Sequence, residues 1–369
     1  MGVLANRPVL RWLVPAGVLT AIVAGGLVAT ALQATAGAPL PTRSPVQLLA
    51  DVRTGAPPDF SGTLVVRADL GLPALPQAIG GDGSSQFASL VAGTHTLRAW
   101  YAGPTQTRVA LLGALGESDV IRDGSDLWTW SSTDNSATHA VVPMRPEGTD
   151  PTPATVPSAL PTTPQQAASA LLAALDPSTS VTVGAPVTVA GRSSYTLVIS
   201  PRDPASLISQ VRIAVDGEKF MPLRVQVFAQ GSAKPAFEIG FNQVTFSRPD
   251  AALFQFNPPP GVTVHRLGSP GSPEVSLGRT RATVVGSGWT SVVVTRLALD
   301  EHGQLPFGLG PLVKVLPAVH GAFGDGNILE ARLFTALVTT DGRVMIGAVD
   351  GPTLLIAANS PAATLTAPK

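Results

Sequence analysis

The sequence predicts an α+β protein in which antiparallel sheet dominates. Three observations lead there. Apolar and polar residues alternate with period two through most of the span from Phe60 to Phe246. Tight-turn dipeptides, Asp-Gly above all, punctuate that alternation. Only a few stretches, near Pro45, Gln165 and Leu309, carry helical spacing instead.

Taken in chain order, Arg7 and Arg11 precede an uncharged apolar stretch from Trp12 to Leu32. About 20 such residues in a helix span a hydrocarbon core, and the arginines would hold the N-terminal end in the cytoplasm. Residues 1–38 therefore read as a signal-anchor or transmembrane segment. Ala34-Thr35-Ala36 and Ala36-Gly37-Ala38 have the small-x-small form of a cleavage site, so the alternative is a cleaved signal peptide and a secreted protein. Either way, the chain beyond Ala38 is placed outside the cytoplasm. Pro39–Arg43 is a short linker. Ser44 before Pro45 marks a helix start, with Val46, Leu49 and Val52 on one face to about Thr54. A strand is expected at Phe60–Ala68, then a Gly/Pro/Ser-rich loop from Leu70 to Gly93 that could form a lid.

A dense series of strands comes next, at Thr96–Tyr101, Thr107–Leu112, Ser118–Arg122, Leu127–Ser131 and His139–Val142. Arg145–Pro164 holds six prolines and reads as a surface excursion. Gln165–Leu175 has helical apolar spacing. Strands resume at Val181–Val183, Val187–Val189, Tyr195–Ser200, Val211–Asp216, Leu223–Ala229 and Ala236–Phe246. The best hairpin turns are at Asp123, Asp216 and Asp341, where Asp-Gly lies between apolar alternating runs. Gly268–Pro273 reads as a boundary, dividing a domain at 39–265 from a small α+β domain at 266–369. The latter is expected to hold strands at Ser291–Leu297, Ile328–Thr339, Arg343–Val349 and Thr353–Ala358, with a helix at about Leu309–Val319.

Composition excludes several function classes. Lysine and arginine total 24 and aspartate and glutamate total 24, so no basic surface is expected for nucleic acid. Charged residues are 13% of the chain against a usual share of about 25%. Cysteine is absent, which removes disulfides, thiolate metal sites and cysteine nucleophiles. There is no Gly-x-Ser-x-Gly elbow, no Ser-x-x-Lys, no phosphate-binding loop ending in lysine and no His-Glu-x-x-His. His95, His139, His265, His302 and His320 are scattered. Asp300-Glu301-His302 reads as a solvated loop. No catalytic residue, metal or cofactor is expected. What remains is apolar surface: hydrophobic residues make up 44% of the chain. A sheet this apolar either closes on a solid core or curves to leave a hollow, and a hollow would hold acyl chains at about 0.8 kcal/mol per buried CH₂.

Between about Pro45 and Val264 the chain resembles the bacterial lipoprotein-carrier superfamily of LolA-like and RseB-like proteins. The resemblance is spread over many pieces: Leu48-Leu49 before Phe60-Ser61-Gly62-Thr63; Leu97 to Pro104 before Thr107-Arg108-Val109; Val120 to Gly124 before Leu127-Trp128-Thr129-Trp130; Val189-Ala190-Gly191-Arg192 before Tyr195-Thr196-Leu197; Val215-Asp216 with Met221 to Arg224; and Phe254-Gln255-Phe256 before Pro258-Pro259-Pro260-Gly261. It implies an incomplete antiparallel β-barrel, a curved sheet wrapped around helices with an apolar interior. The implied activity is binding of lipid, or of the acyl chain of a lipoprotein, outside the cytoplasm. RseB-like members instead sense envelope stress through a partner such as an anti-sigma factor. An anchored chain, in contact with the membrane through its N-terminal helix, cannot shuttle far, which favours local handover or sensing.

Alternation assigns the cavity positions: Leu64 and Val66 on the first strand; Leu97, Val109 and Leu111 on the next two; Trp128 and Trp130; Leu171 and Leu175 on the Gln165 helix; Leu197 and Ile199; Val225 and Val227; and Ile239 and Phe241. Ordinary core is the competing reading of each. Arg108 and Arg192 are the candidates for a head-group contact.

Overall fold

Helix α1 (Pro45–Thr54) is the first regular element of the described chain. Its start is a reciprocal capping box: the Gln47 N–H donates to Ser44 Oγ at 3.2 Å, and the Ser44 N–H donates to Gln47 Oε1 at 2.9 Å. Leu48, on this helix, is fully buried, a gain of about 2 kcal/mol. The computed structural model describes residues 40–54, 57–73, 87–114, 116–142, 177–267, 282–296 and 313–363. The expected N-terminal span, the Arg145–Pro164 excursion, the Gln165–Leu175 helix, most of the Leu70–Gly93 loop and Asp300-Glu301-His302 lie outside them. Among the described residues no helix is long and apolar enough to cross a membrane.

The first sheet has twelve strands. In chain order they are β1 (Phe60–Ala68), β2 (Gly93–Tyr101), β3 (Gln106–Leu112), β4 (Glu117–Asp123), β5 (Asp126–Ser131), β6 (Ser136–Val141), β7 (Thr179–Val189), β8 (Arg192–Pro201), β9 (Ile208–Asp216), β10 (Pro222–Ala229), β11 (Pro235–Thr245) and β12 (Thr263–Arg266). Their spatial order is β12-β6-β5-β4-β3-β2-β1-β11-β10-β9-β8-β7. Two antiparallel meanders thus meet where β1 pairs with β11, and only the β12–β6 pair is parallel. The sheet does not close, because β12 and β7 are its two edges. It curls, however: β7 comes within 8 Å of β11 and of α1 between Cα atoms. The face on which α1 lies is the inner face.

The second sheet has six strands, in the order β13-β14-β18-β17-β16-β15. They are β13 (Thr283–Val285), β14 (Val292–Arg296), β15 (Ala318–Gly321), β16 (Gly324–Glu330), β17 (Thr335–Thr339) and β18 (Arg343–Gly347). Helix α2 (Gly351–Ala358) packs on β17 and β18. Its own core holds Val294, Leu337, Met345, Val349 and Leu354, all fully buried.

Several expectations need correction. Thr353–Ala358 is helix, not strand: Asp350 caps it through a hydrogen bond from the Thr353 N–H at 2.9 Å, and Pro352 sits in its first turn. Ala318 and Val319 belong to β15, so the expected helix to Val319 does not reach that far. Ile328–Thr339 is two strands with a turn at residues 331–334. Val181–Val183 and Val187–Val189 are one strand, interrupted by an irregularity between Gly184 and Val187 where Pro186 cannot donate to the ladder.

Candidate functional site

Residues directly opposite each other in adjacent strands share a face, so the pairing register decides what faces inward. Leu64 pairs with Leu97 on one side and with Phe241 on the other. Leu97 pairs with Leu111, and Ala99 with Val109. Val66 pairs with Ile239, Ile239 with Val225, and Val227 with Val211. Val225 then pairs with Ile213, Ile213 with Leu197, and Val211 with Ile199. Leu64, Val66, Leu97, Val109, Leu111, Leu197, Ile199, Val225, Val227, Ile239 and Phe241 therefore share one face. It is the inner face, and all of them join or pack against one core with Leu48 of α1.

Trp128 and Trp130 do not join them. Trp128 pairs with Ile121, and Ile121 with Arg108, which stands opposite Trp100. That row lies on the outer face, because Trp100 alternates with Ala99 and Tyr101. The two tryptophans face Phe256 there, at 5.2 and 6.1 Å between ring centroids, and Trp128 stacks on His139 at 4.3 Å. Alternation alone does not fix the phase of β5, whose run Leu127-Trp128-Thr129-Trp130 offers an apolar residue at either parity. Leu171 and Leu175 lie outside the described residues.

The two arginines expected as head-group contacts are already paired. Arg108 Nη2 bonds the Asp119 carboxylate, and its guanidinium lies 5.4 Å from the Trp100 ring centroid. Burial pushes the Asp119 carboxyl up to about 6, against the lowering effect of Arg108. Arg192 grips both oxygens of Asp216, reaches Glu218 at 2.9 Å and lies over the Phe246 ring at 4.8 Å. Burial alone would raise Asp216. Hydrogen bonds from Arg192 and from the N–H groups of Lys219 and Glu218 outweigh it and hold that carboxyl below its usual range.

The inner face also contains residues that are not among the cavity positions assigned from the sequence. Val181, Val183, Val211, Ile213 and Phe237 extend it by the same register. Tyr101 stacks on Phe60 at 5.6 Å, and burial raises its hydroxyl, with Asp59 adding to the effect. Trp289, Leu333 and Ala348 of the second sheet's segment enter the same core. Trp289 is 4% exposed, and its Nε1 donates to Thr179 Oγ1 at 2.9 Å. Its signal in the sequence is a large aromatic beside closely spaced glycines. Gly286 and Gly288 both take positive φ, which lets a short 3₁₀ turn (Gly288–Thr290) present the indole. Among the described residues no group of histidine and carboxylate side chains could hold a metal ion.

No protein-family model matches the chain, and no curated protein matches it in sequence. It is similar to several solved structures. One is MucB of Pseudomonas aeruginosa in its complex with MucA, at 14% identity over 85% of this chain and 95% of that one, with a TM-score of 0.43. Another is a LolA-superfamily protein of Nitrosomonas europaea, at 10% identity over 58% of this chain and 99% of that one, with a TM-score of 0.22. A third is a putative outer membrane lipoprotein-sorting protein domain of Vibrio parahaemolyticus, at 7% identity over 57% and 95%, with a TM-score of 0.22. The first sheet is unclosed and curls over a helix, the architecture that the sequence resemblance implies.

Proposed function

We propose that this is a non-catalytic, extracytoplasmic protein of the cell envelope, tethered by its N-terminal segment, that binds an acyl chain of a lipid or lipoprotein on the inner face of its curled sheet. One observation carries the reading: apolar side chains from β1, β2, β3, β8, β9, β10 and β11 share a continuous face on a sheet that does not close. An unclosed sheet can part from its contents at an edge, which a sealed barrel cannot do. The test is native mass spectrometry and lipid extraction of the chain purified from membranes. Co-purifying acyl chains are expected, and their amount should drop when Val225→Trp narrows the inner face. An apo protein that takes up no lipid from vesicles overturns the reading.

A second reading is a sensor that acts through a protein partner such as an anti-sigma factor. The joint between the two sheets favours it. The Leu207 N–H donates to Ala348 O at 2.8 Å, the Arg332 N–H donates to Leu70 O at 2.8 Å, and Trp289 is buried in the first sheet's core. A ligand that shifts the first sheet would be felt by the second. Crosslinking in cells distinguishes the readings: a retained membrane-protein partner that is lost on deletion of residues 274–369 supports the sensor.

A further inference from the structure

A cavity of about 320 Å³ opens on the outer face of β7–β10, away from the proposed acyl site. The register explains it. Thr196, Val198, Gln210, Arg212, Ala214, Arg224 and Gln226 alternate with the inner-face residues and so share the outer face. The irregularity of β7 between Gly184 and Val187 lifts Ala185 and Pro186 out of the ladder, and Ala185 and Val187 form one wall.

The polar part of the lining holds two guanidiniums, and the Glu238 carboxylate beside them acts on Arg224 electrostatically without forming an ion pair with it. Among the described residues neither Arg212 nor Arg224 forms an ion pair. The nearby carboxylate, Glu238, is engaged by Arg67 at 3.0 Å and by the Gln226 amide at 2.6 Å. Arg212 lies over the Phe228 ring at 4.6 Å and donates its Nε only to Gln210 Oε1, at 3.3 Å. Arg224 is half-buried and makes no hydrogen bond to a described residue. Thr196 is 9% exposed, and its buried Oγ1 has no partner. A buried hydroxyl left unpaired costs free energy, as does a desolvated guanidinium without an acceptor. The guanidinium's cost vanishes if an oxyanion occupies the cavity.

We propose that this cavity binds a phosphate ester with a small organic body. Two guanidiniums supply donors for several oxygens of one tetrahedral group. Ala185, Val187, Val198 and Ala214 form the apolar surface for the body. The site does not depend on the acyl reading, because it uses the opposite face of the sheet.

Calorimetric titration of the full chain with glycerol 3-phosphate and with inorganic phosphate tests it, alongside flotation with phosphatidylglycerol and phosphatidylcholine vesicles. Saturable binding of glycerol 3-phosphate is expected, weakened by at least about tenfold in Arg224→Gln and lost in the Arg212→Gln/Arg224→Gln double variant. Ala185→Trp, at an exposed wall position, should block the cavity without unfolding the sheet. Arg248→Gln, on an exposed arginine that pairs with Asp59, should bind as the parent does. Binding of the soluble ester without flotation assigns a soluble ligand. Arg224-dependent flotation with phosphatidylglycerol alone assigns a lipid head group. No binding of any probe at millimolar concentration, or binding that survives both the double variant and Ala185→Trp, overturns the proposal.

Discussion

Arg108 and Asp119 show how one paired residue can contradict a functional guess made from its type. In the sequence Arg108 is a cation beside apolar strand positions. In the fold it neutralises a carboxylate whose side chain is fully buried, and it covers Trp100. Removing the cation alone, as in Arg108→Met, should destabilise the protein by about 3 kcal/mol at pH 8, because an uncompensated charge stays buried. The penalty should shrink on acidification. The Asp119 carboxyl is raised to about 6 in the folded state, above its unfolded value near 4. The folded state therefore binds the proton more tightly, and this group's contribution to stability falls as pH rises from about 4 to about 6. Urea melts at pH 5 and pH 8 check both points: Asp119→Asn should flatten the pH dependence across that window, and Arg108→Met should be closer to the parent at pH 5. If Arg108→Met costs the same at both pH values, burial of the charge is not what the arginine offsets. None of this coupling is legible in the sequence. Arg108 and Asp119 are 11 residues apart, on adjacent strands. Only the register of β3 against β4 brings them together.

At the scale of elements, the sequence is most informative where a turn residue and a period agree. The Asp123-Gly124 and Asp341-Gly342 hairpins form as expected, with Gly124 and Gly342 at φ of 61° and 82°. The Asp216-Gly217 turn also forms, but there it is Phe220 that takes the positive φ, 53°. Periodicity misleads where a short apolar run fits either period. Leu354-Leu355-Ile356-Ala357-Ala358 suits a buried strand or a helix. The decisive signal lies just upstream, in Asp350 as cap and Pro352 in the first turn. Asp350→Ala should therefore cost about 1 kcal/mol, while Asp350→Asn, which keeps an acceptor for the Thr353 N–H, should cost much less. Equal losses for the two variants would mean that capping is not what holds α2. The Asp350 carboxyl is held below its usual range by Thr353. Its contribution is thus present above the unfolded carboxylate range near pH 4 and is lost as pH falls through the lower folded value. The phase of β5 escapes alternation for a related reason. Each parity of Leu127-Trp128-Thr129-Trp130 contains an apolar residue, and the outer-face cover that claims the tryptophans, Phe256, lies more than 120 residues downstream.

For the whole molecule, the question is whether two sheets with separate hydrogen-bond ladders behave as one unit. Interfaces between units of a chain are often polar and loosely held. This one places Trp289, Leu333 and Ala348 from the second unit inside the first unit's core, so apolar burial joins them. At its other end Arg332 bonds the Asp69 carboxylate, and Gly71, at φ 68°, leaves room for the Arg332 side chain. Unfolding should accordingly be a single transition by both fluorescence and circular dichroism. Trp289→Ala removes a buried indole and leaves Thr179 Oγ1 without its donor, a loss of about 3–5 kcal/mol. Because the loss falls at the joint and not within either ladder, its expected signature is a second transition as well as a lower midpoint. Thr179→Val is the finer probe: it keeps the volume and the indole and removes only the acceptor, so it should lower the midpoint by less and preserve one transition. If Trp289→Ala lowers the midpoint but unfolding stays single, the sheets are coupled by the Arg332 end or by more distributed contacts. If the parent protein already unfolds in two steps, the sheets are thermodynamically independent, and the sensor reading loses the mechanical link on which it depends.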